Sequence, residues 1–136
     1  MVSVEKLTVK LQTQIVLKSV SCSLIPGRIT TFIGKSGAGK TTLLKSLTGL
    51  IPLKNGSIIV NDKKITDLSS KQRSEEIGYV FQDFNLFPNF SVLQNCADPL
   101  MVHGMTYEQS IGRAREILQQ LDMQNFIDKF RYAISD

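Results

Sequence analysis

Nine residues carry the clearest chemistry in this chain. Residues 34–42 read G-K-S-G-A-G-K-T-T, with glycines at 34, 37 and 39, a lysine at 40 and hydroxyls at 41 and 42. The spacing is G-x-x-x-x-G-K-T, a phosphate-binding loop, flanked by an apolar run before it and a helical pattern after it. Gly34, Gly37 and Gly39 let the backbone wrap an anion, and some of these positions call for positive φ. Successive N–H groups from Lys35, Ser36, Ala38 and their neighbours then form an anion nest at the positive end of a helix starting near Lys40. Lys40 would reach the β- and γ-phosphates of a nucleotide. Thr41 offers a hydroxyl oxygen to Mg²⁺, with Thr42 beside it.

Such a loop needs a strand to deliver it and a helix to polarise it. Residues 28–33, R-I-T-T-F-I, are apolar on both faces and predict a strand in the parallel core of an α/β sheet. Residues 43–50 place Leu43, Leu44, Leu47 and Leu50 on one helical face, and Gly49 and Pro52 end it. Upstream, Val2, Val4, Leu7 and Val9 alternate as a strand, and residues 15–17 and 20–24 predict two more short ones. Pro26–Gly27 marks a turn. Turns at Asn55–Gly56 and Asn61–Asp62 bracket a small antiparallel element around residues 58–60. Residues 77–81 predict another strand. Beyond them the pattern is helical: Ser91 is an N-cap, Pro99 limits or kinks its helix, and Thr106 with Gln109 forms a capping box for a second. Ile111, Ala114, Leu118 and Leu121 give that second helix its apolar stripe.

Bulk properties set the remaining bounds. At 136 residues, 42% hydrophobic and 21% charged, the chain has the composition of a single globular unit. A net charge of +4 spread over scattered lysines and arginines describes a solvated surface, with no nucleic-acid partner. Cys22 and Cys96 stand in no metal-ligand spacing and read as reduced thiols. The N-terminus lacks the basic and apolar regions of a signal peptide, and no apolar run approaches the length of a membrane span.

A second motif narrows the reading. Residues 79–88 are Y-V-F-Q-D-F-N-L-F-P and residues 91–95 are S-V-L-Q-N. Together with the loop and the interval from Lys40 to Gln82, they resemble the Q-loop region of the ATP-binding subunits of ABC transporters. The wording is most like the subunits of polar amino acid importers. Residues 56–62, G-S-I-I-V-N-D, resemble that family's short hairpin.

The resemblance covers the chain and implies the following. The fold is α/β: a P-loop NTPase-type sheet core with a small antiparallel β element (residues 1–82), then the Q-loop and the beginning of a helical lobe (83–136), an incomplete domain. The cofactors are ATP and Mg²⁺. Gln82 would meet Mg²⁺ or the attacking water, since an amide can accept from water and donate to phosphate. Residues 82–90, with Phe84, Leu86 and Phe87, would receive a membrane permease. A homodimer or paired ATPase subunit would sandwich the nucleotides. The location would be cytoplasmic, peripheral on the inner face of the cell membrane.

Three departures from the family pattern follow. Leu11 stands where an aromatic residue usually stacks on adenine, which loses about 1 kcal/mol of stacking and leaves ATP against GTP open. Residues 130–136, F-R-Y-A-I-S-D, align with the start of the signature segment, and Asp136 replaces its first glycine. After Gln82 no apolar strand ends in paired acids, and the single histidine, His103, reads as a solvated residue, so the expectation is an N-terminal part that has Gln82 but neither a general base nor a complete Mg²⁺ site. The alternatives are a truncated, non-catalytic nucleotide-binding or permease-docking module, and a different P-loop ATPase or kinase. In this reading, residues 30–33 expose an apolar edge prone to association.

Overall fold

The structure is a computed structural model that describes residues 1–83 and 85–130. It divides into two compact units, Met1–Tyr79 and Val80–Asp136.

The first unit is built on an antiparallel sheet. Strands β1 (Val2–Leu11), β2 (Gln14–Leu24), β3 (Asn55–Val60) and β4 (Lys63–Lys64) lie in the order β2-β1-β3-β4. The two short strands expected at 15–17 and 20–24 are one strand, because a bulge joins them. Between the pairs Leu7↔Val20 and Val9↔Leu17 the second strand advances one residue more than the first, and Ser19 takes φ 52°. A matching bulge on β1 puts Lys6 at φ 45° between Val4↔Cys22 and Leu7↔Val20. Each bulge frees an amide, and a hydroxyl on the facing strand takes it: Lys6 N donates to Ser21 Oγ at 2.9 Å, and Ser19 N to Thr8 Oγ1 at 3.1 Å. The bulge also keeps Val4, Leu7 and Val9 all inward, each at most 2% exposed.

Asn55–Gly56 does not turn the chain as expected; both residues lie inside β3. Gly56 sits against the β1 bulge, where a Cβ would come within 2.5 Å of Glu5 O, so the glycine serves close strand approach. The turn is at Asn61–Asp62, both at positive φ, and it closes the β3–β4 hairpin. Lys63 and Asn61 both donate to the Glu76 carboxylate, at the end of helix α2 (Ser70–Glu76), and hold it below the usual carboxylate range, the Lys63 bond first.

Helix α1 (Lys40–Leu47) lays Leu43 and Leu47 on the sheet core beside Leu17, Ile58 and Ile65. The expected stripe is half realised. Leu44, inside the helix, lies off the face that buries Leu43 and Leu47, and Leu50 lies past the helix end at Leu47, where Gly49, at φ 71°, turns the chain away; both are exposed. Residues 28–33 and 77–81 form no strand among the described residues. A strand exists only through its partner, and the four-stranded sheet contains neither segment. Only Phe32 and Ile77 from these runs pack against the first core.

The second unit pairs helices α3 (Val92–Val102) and α4 (Tyr107–Gln120) over Leu93, Ala97, Ala114 and Leu118. Both expected caps form: Ser91 with Gln94 and Thr106 with Gln109 make reciprocal capping boxes. Helix α3 runs through Pro99 to Val102, and Leu121 lies past the end of α4, exposed.

Candidate nucleotide site

The phosphate loop folds back across the start of α1. Gly37 and Gly39 take φ 78° and 87°, the left-handed region that glycine enters freely, whereas Gly34 is not among the positive-φ glycines. Gly39 is the N-cap of α1 and has no capping side chain, so the first-turn N–H groups have none to bond. Those groups and the helix dipole make this end a binding place for an anion. A concavity of about 240 Å³ opens there, lined by Ser36, Gly37, Ala38, Gly39, Lys40, Thr41 and Thr42, and by Val16 of β2.

Lys40 has its ammonium turned into the loop. It donates to Gly34 O at 2.7 Å and to Lys35 O at 2.8 Å, which ties the first two loop residues to the helix start. Gly34 and Lys35 thus shape the loop through their carbonyls. Thr41 stands on the wall of the concavity with its side chain exposed. Thr42 contributes its carbonyl, which accepts from the buried Ser46 Oγ at 2.7 Å, and this bond braces the first turn.

Leu11 does not line this concavity. It ends β1, opposite Gln14 in the hairpin, and is 39% exposed. Val16 is the residue that sequence reading missed. Nothing in its local pattern marks it, because it reaches the loop only through the β2 strand.

Gln82 belongs to the second unit, in an exposed turn. The loop after it is pinned by one side chain, Asn95 of α3. Its Oδ1 accepts from Phe87 N at 2.8 Å, and its Nδ2 donates to the carbonyls of Phe87, Phe90 and Ser91 at 3.0–3.1 Å. Phe87 and Phe90 stack with centroids 5.0 Å apart, and Leu86 and Phe87 stay partly exposed. Beside them an apolar groove of about 310 Å³ is lined by Leu86, Val92, Cys96, Leu118, Leu121 and Met123. Burial there pushes the Cys96 thiol up. Phe84 and the signature residues Ile134, Ser135 and Asp136 lie outside the described residues.

Among the described residues no three of His, Cys, Asp and Glu gather as a metal site. His103 caps the end of α3, exposed. A hard cation prefers oxygen donors, and the residues that line the concavity include three with hydroxyls, Ser36, Thr41 and Thr42. Hydroxyl oxygens are donors that fit Mg²⁺.

A family model described as ABC transporter matches residues 17–135. The chain is 37% identical over 131 residues to the L-cystine transport system ATP-binding protein TcyN of Escherichia coli, covering 90% of this chain and 52% of TcyN. It is 32% identical over 124 residues to the lipoprotein-releasing system ATP-binding protein LolD of Blochmanniella floridana, covering 88% of this chain and 53% of LolD. Over 107 residues it is 39% identical to the methionine import ATP-binding protein MetN of Clostridioides difficile, covering 76% of this chain and 33% of MetN. Among solved structures, dimeric MJ0796, a bacterial ABC transporter cassette, superposes with TM-score 0.84 at 28% identity, over 99% of this chain and 63% of that one. A post-hydrolysis MJ0796 dimer bound to ADP and phosphate gives TM-score 0.82. The chain spans about half the length of TcyN and LolD.

Proposed function

This chain belongs to the ABC transporter family, and from that premise we propose that it is the ATP-binding component of an importer for amino acids. The observation that carries the nucleotide reading is the concavity at the start of α1, where glycine backbone, helix N-terminus, Lys40 and Thr41 converge. Each group meets a different part of a bound triphosphate. The loop amides hold phosphate oxygens, Lys40 exchanges its bonds to Gly34 O and Lys35 O for the β- and γ-phosphates, and Thr41 gives an oxygen to Mg²⁺. Mg²⁺, when bound, neutralises phosphate charge. Val16 covers the outer side of the site with apolar surface. Gln82 as a contact to Mg²⁺ or water, and Leu11 as a cover for the base, rest on the family resemblance.

Two relatives, TcyN and MetN, are named for cystine and methionine, which supports an amino acid as the solute; LolD is named for lipoprotein release. Residues 82–90 are the proposed permease contact, supported by the exposed Leu86 and Phe87 on a loop that Asn95 holds in shape. Pairing with a second ATP-binding chain is supported by the dimeric MJ0796 structures. A peripheral place on the inner membrane face accords with this role. No helix among the described residues is long and apolar enough to cross a membrane.

The test is a thermal melt of the chain with and without Mg-ATP, with Lys40→Ala as the control. At a hundred times the dissociation constant, binding adds about 2.7 kcal/mol to stability. A rise in Tm with the parent chain and none with Lys40→Ala is the expected result. No rise in either sinks the reading. Phosphate release in the same samples separates a hydrolysing subunit from a module that only holds its nucleotide.

A further inference from the structure

A second hollow, of about 320 Å³, opens in the first unit at the end of α1 remote from the phosphate loop. Its size falls in the range of small-molecule sites, about 300–1,000 Å³. Ile51, Leu53 and Ile65 give it apolar walls, and all three belong to the first core or pack on it. Two of the hydroxyls that line it are already engaged. Ser46 Oγ donates to Thr42 O at 2.7 Å, and Thr66 Oγ1 donates to Asp67 Oδ1 at 3.0 Å.

Arg73 of α2 is the exception. Its half-buried side chain lies against the bare backbone of Gly49, where a Cβ would stand 2.7 Å from Cδ and 3.0 Å from Nε. Nη1 donates to Leu68 O at 2.7 Å and Nη2 to Ser70 Oγ at 3.1 Å. Both acceptors are neutral. The Nε–H and the second hydrogens of the two Nη atoms meet no acceptor among the described residues. The ion pairs among those residues are Lys63–Glu76 and Arg113–Glu116, so the guanidinium has no carboxylate partner there. A partly desolvated cation without a counter-charge favours an anion, and its planar fork accepts a carboxylate through two parallel bonds.

We propose that this hollow binds a short aliphatic carboxylate, its head on Arg73 and its chain along Ile51, Leu53 and Ile65. A phosphate ester fits less well, because its two charges would meet a single cation. An amino acid also fits less well, since no Asp or Glu lines the hollow to take its ammonium. The site stands apart from the nucleotide reading: it shares no lining residue with the phosphate concavity.

The probe is hexanoate, titrated into the isotope-labelled chain and followed by amide chemical shifts. Hexanoate should bind saturably, with shifts centred on Gly49, Ile51, Thr66 and the Arg73 Nε–H. Hexan-1-ol keeps the chain without the charge, and butanoate is two methylenes shorter. Each should bind about tenfold more weakly. Arg73→Gln should abolish binding. Because Arg73 also holds Leu68 O, a second pair of variants works at an exposed lining position. Pro52→Glu sets a carboxylate beside the site and should weaken hexanoate several-fold relative to the neutral Pro52→Gln. Absence of saturable binding, hexan-1-ol as tight as hexanoate, equal affinity in the two Pro52 variants, or shifts confined to the phosphate loop would each overturn the proposal.

Discussion

Gly39 lies so close under Leu17 that a Cβ at position 39 would stand 2.8 Å from Leu17 Cδ2. The loop is therefore seated on β2 by contact as well as carried by the helix. Gly39→Ala must meet that overlap and also hold φ near 87°. The left-handed conformation costs an alanine about 1–2 kcal/mol, and overpacking adds about as much. We expect Tm to fall and the ATP-dependent rise to vanish; a variant as stable and as responsive as the parent would contradict this seating.

Val16 is the apolar wall of the same concavity, and a charge there should be felt by phosphate. Val16→Asp sets a carboxylate at the edge of an anion site, and we expect Mg-ATP affinity to drop about tenfold, or about 1.4 kcal/mol. Leu11→Asp, outside the lining, should cost less. Titration calorimetry of the two variants checks the order, and a reversed order would move the phosphates away from the α1 terminus.

Asn95 is a single side chain that replaces several backbone bonds for the loop before α3. Asn95→Ala takes the side-chain acceptor from Phe87 N and the amide donor from three carbonyls, of which Phe87 O and Ser91 O keep their backbone bonds from Phe90 N and the residue 95 N–H. Water recovers the exposed ones, so the net loss should be about 2 kcal/mol. The local readout is hydrogen exchange at the Phe87 amide, expected to quicken by an order of magnitude or more. Unchanged exchange would mean that the loop is held by something else.

Ser110 is the opposite case. Its Oγ is fully buried in α4 and has no hydrogen-bond partner among the described residues. Ser110→Ala removes an unpaid desolvation and improves helix propensity, so the chain should gain about 1 kcal/mol and roughly 4 °C in Tm. A loss of stability would point to a bond that the hydroxyl makes.

Some of this protein was written in short stretches of its sequence. The loop glycines, Lys40 and Thr41 stand within nine consecutive residues, and the caps at Ser91 and Thr106 span three, so the loop motif and the caps are legible in local spacing. The resemblance to ABC transporter subunits rested on the same kind of local wording. What sequence could not determine depends on residues far apart in the chain. The merger of 15–17 and 20–24 into β2 required the bulges at Lys6 and Ser19 to be accommodated by hydroxyls across the strand pair. Gly56 looked like a turn residue until β1 came within reach of it. Val16 became part of the site through the β2–loop contact, and Asn95 became the clasp of a loop eight residues upstream. Residues 28–33 show the limit most plainly: their sequence specifies strand propensity, but pairing is a property of two segments, and only the tertiary structure decides whether the second one is there.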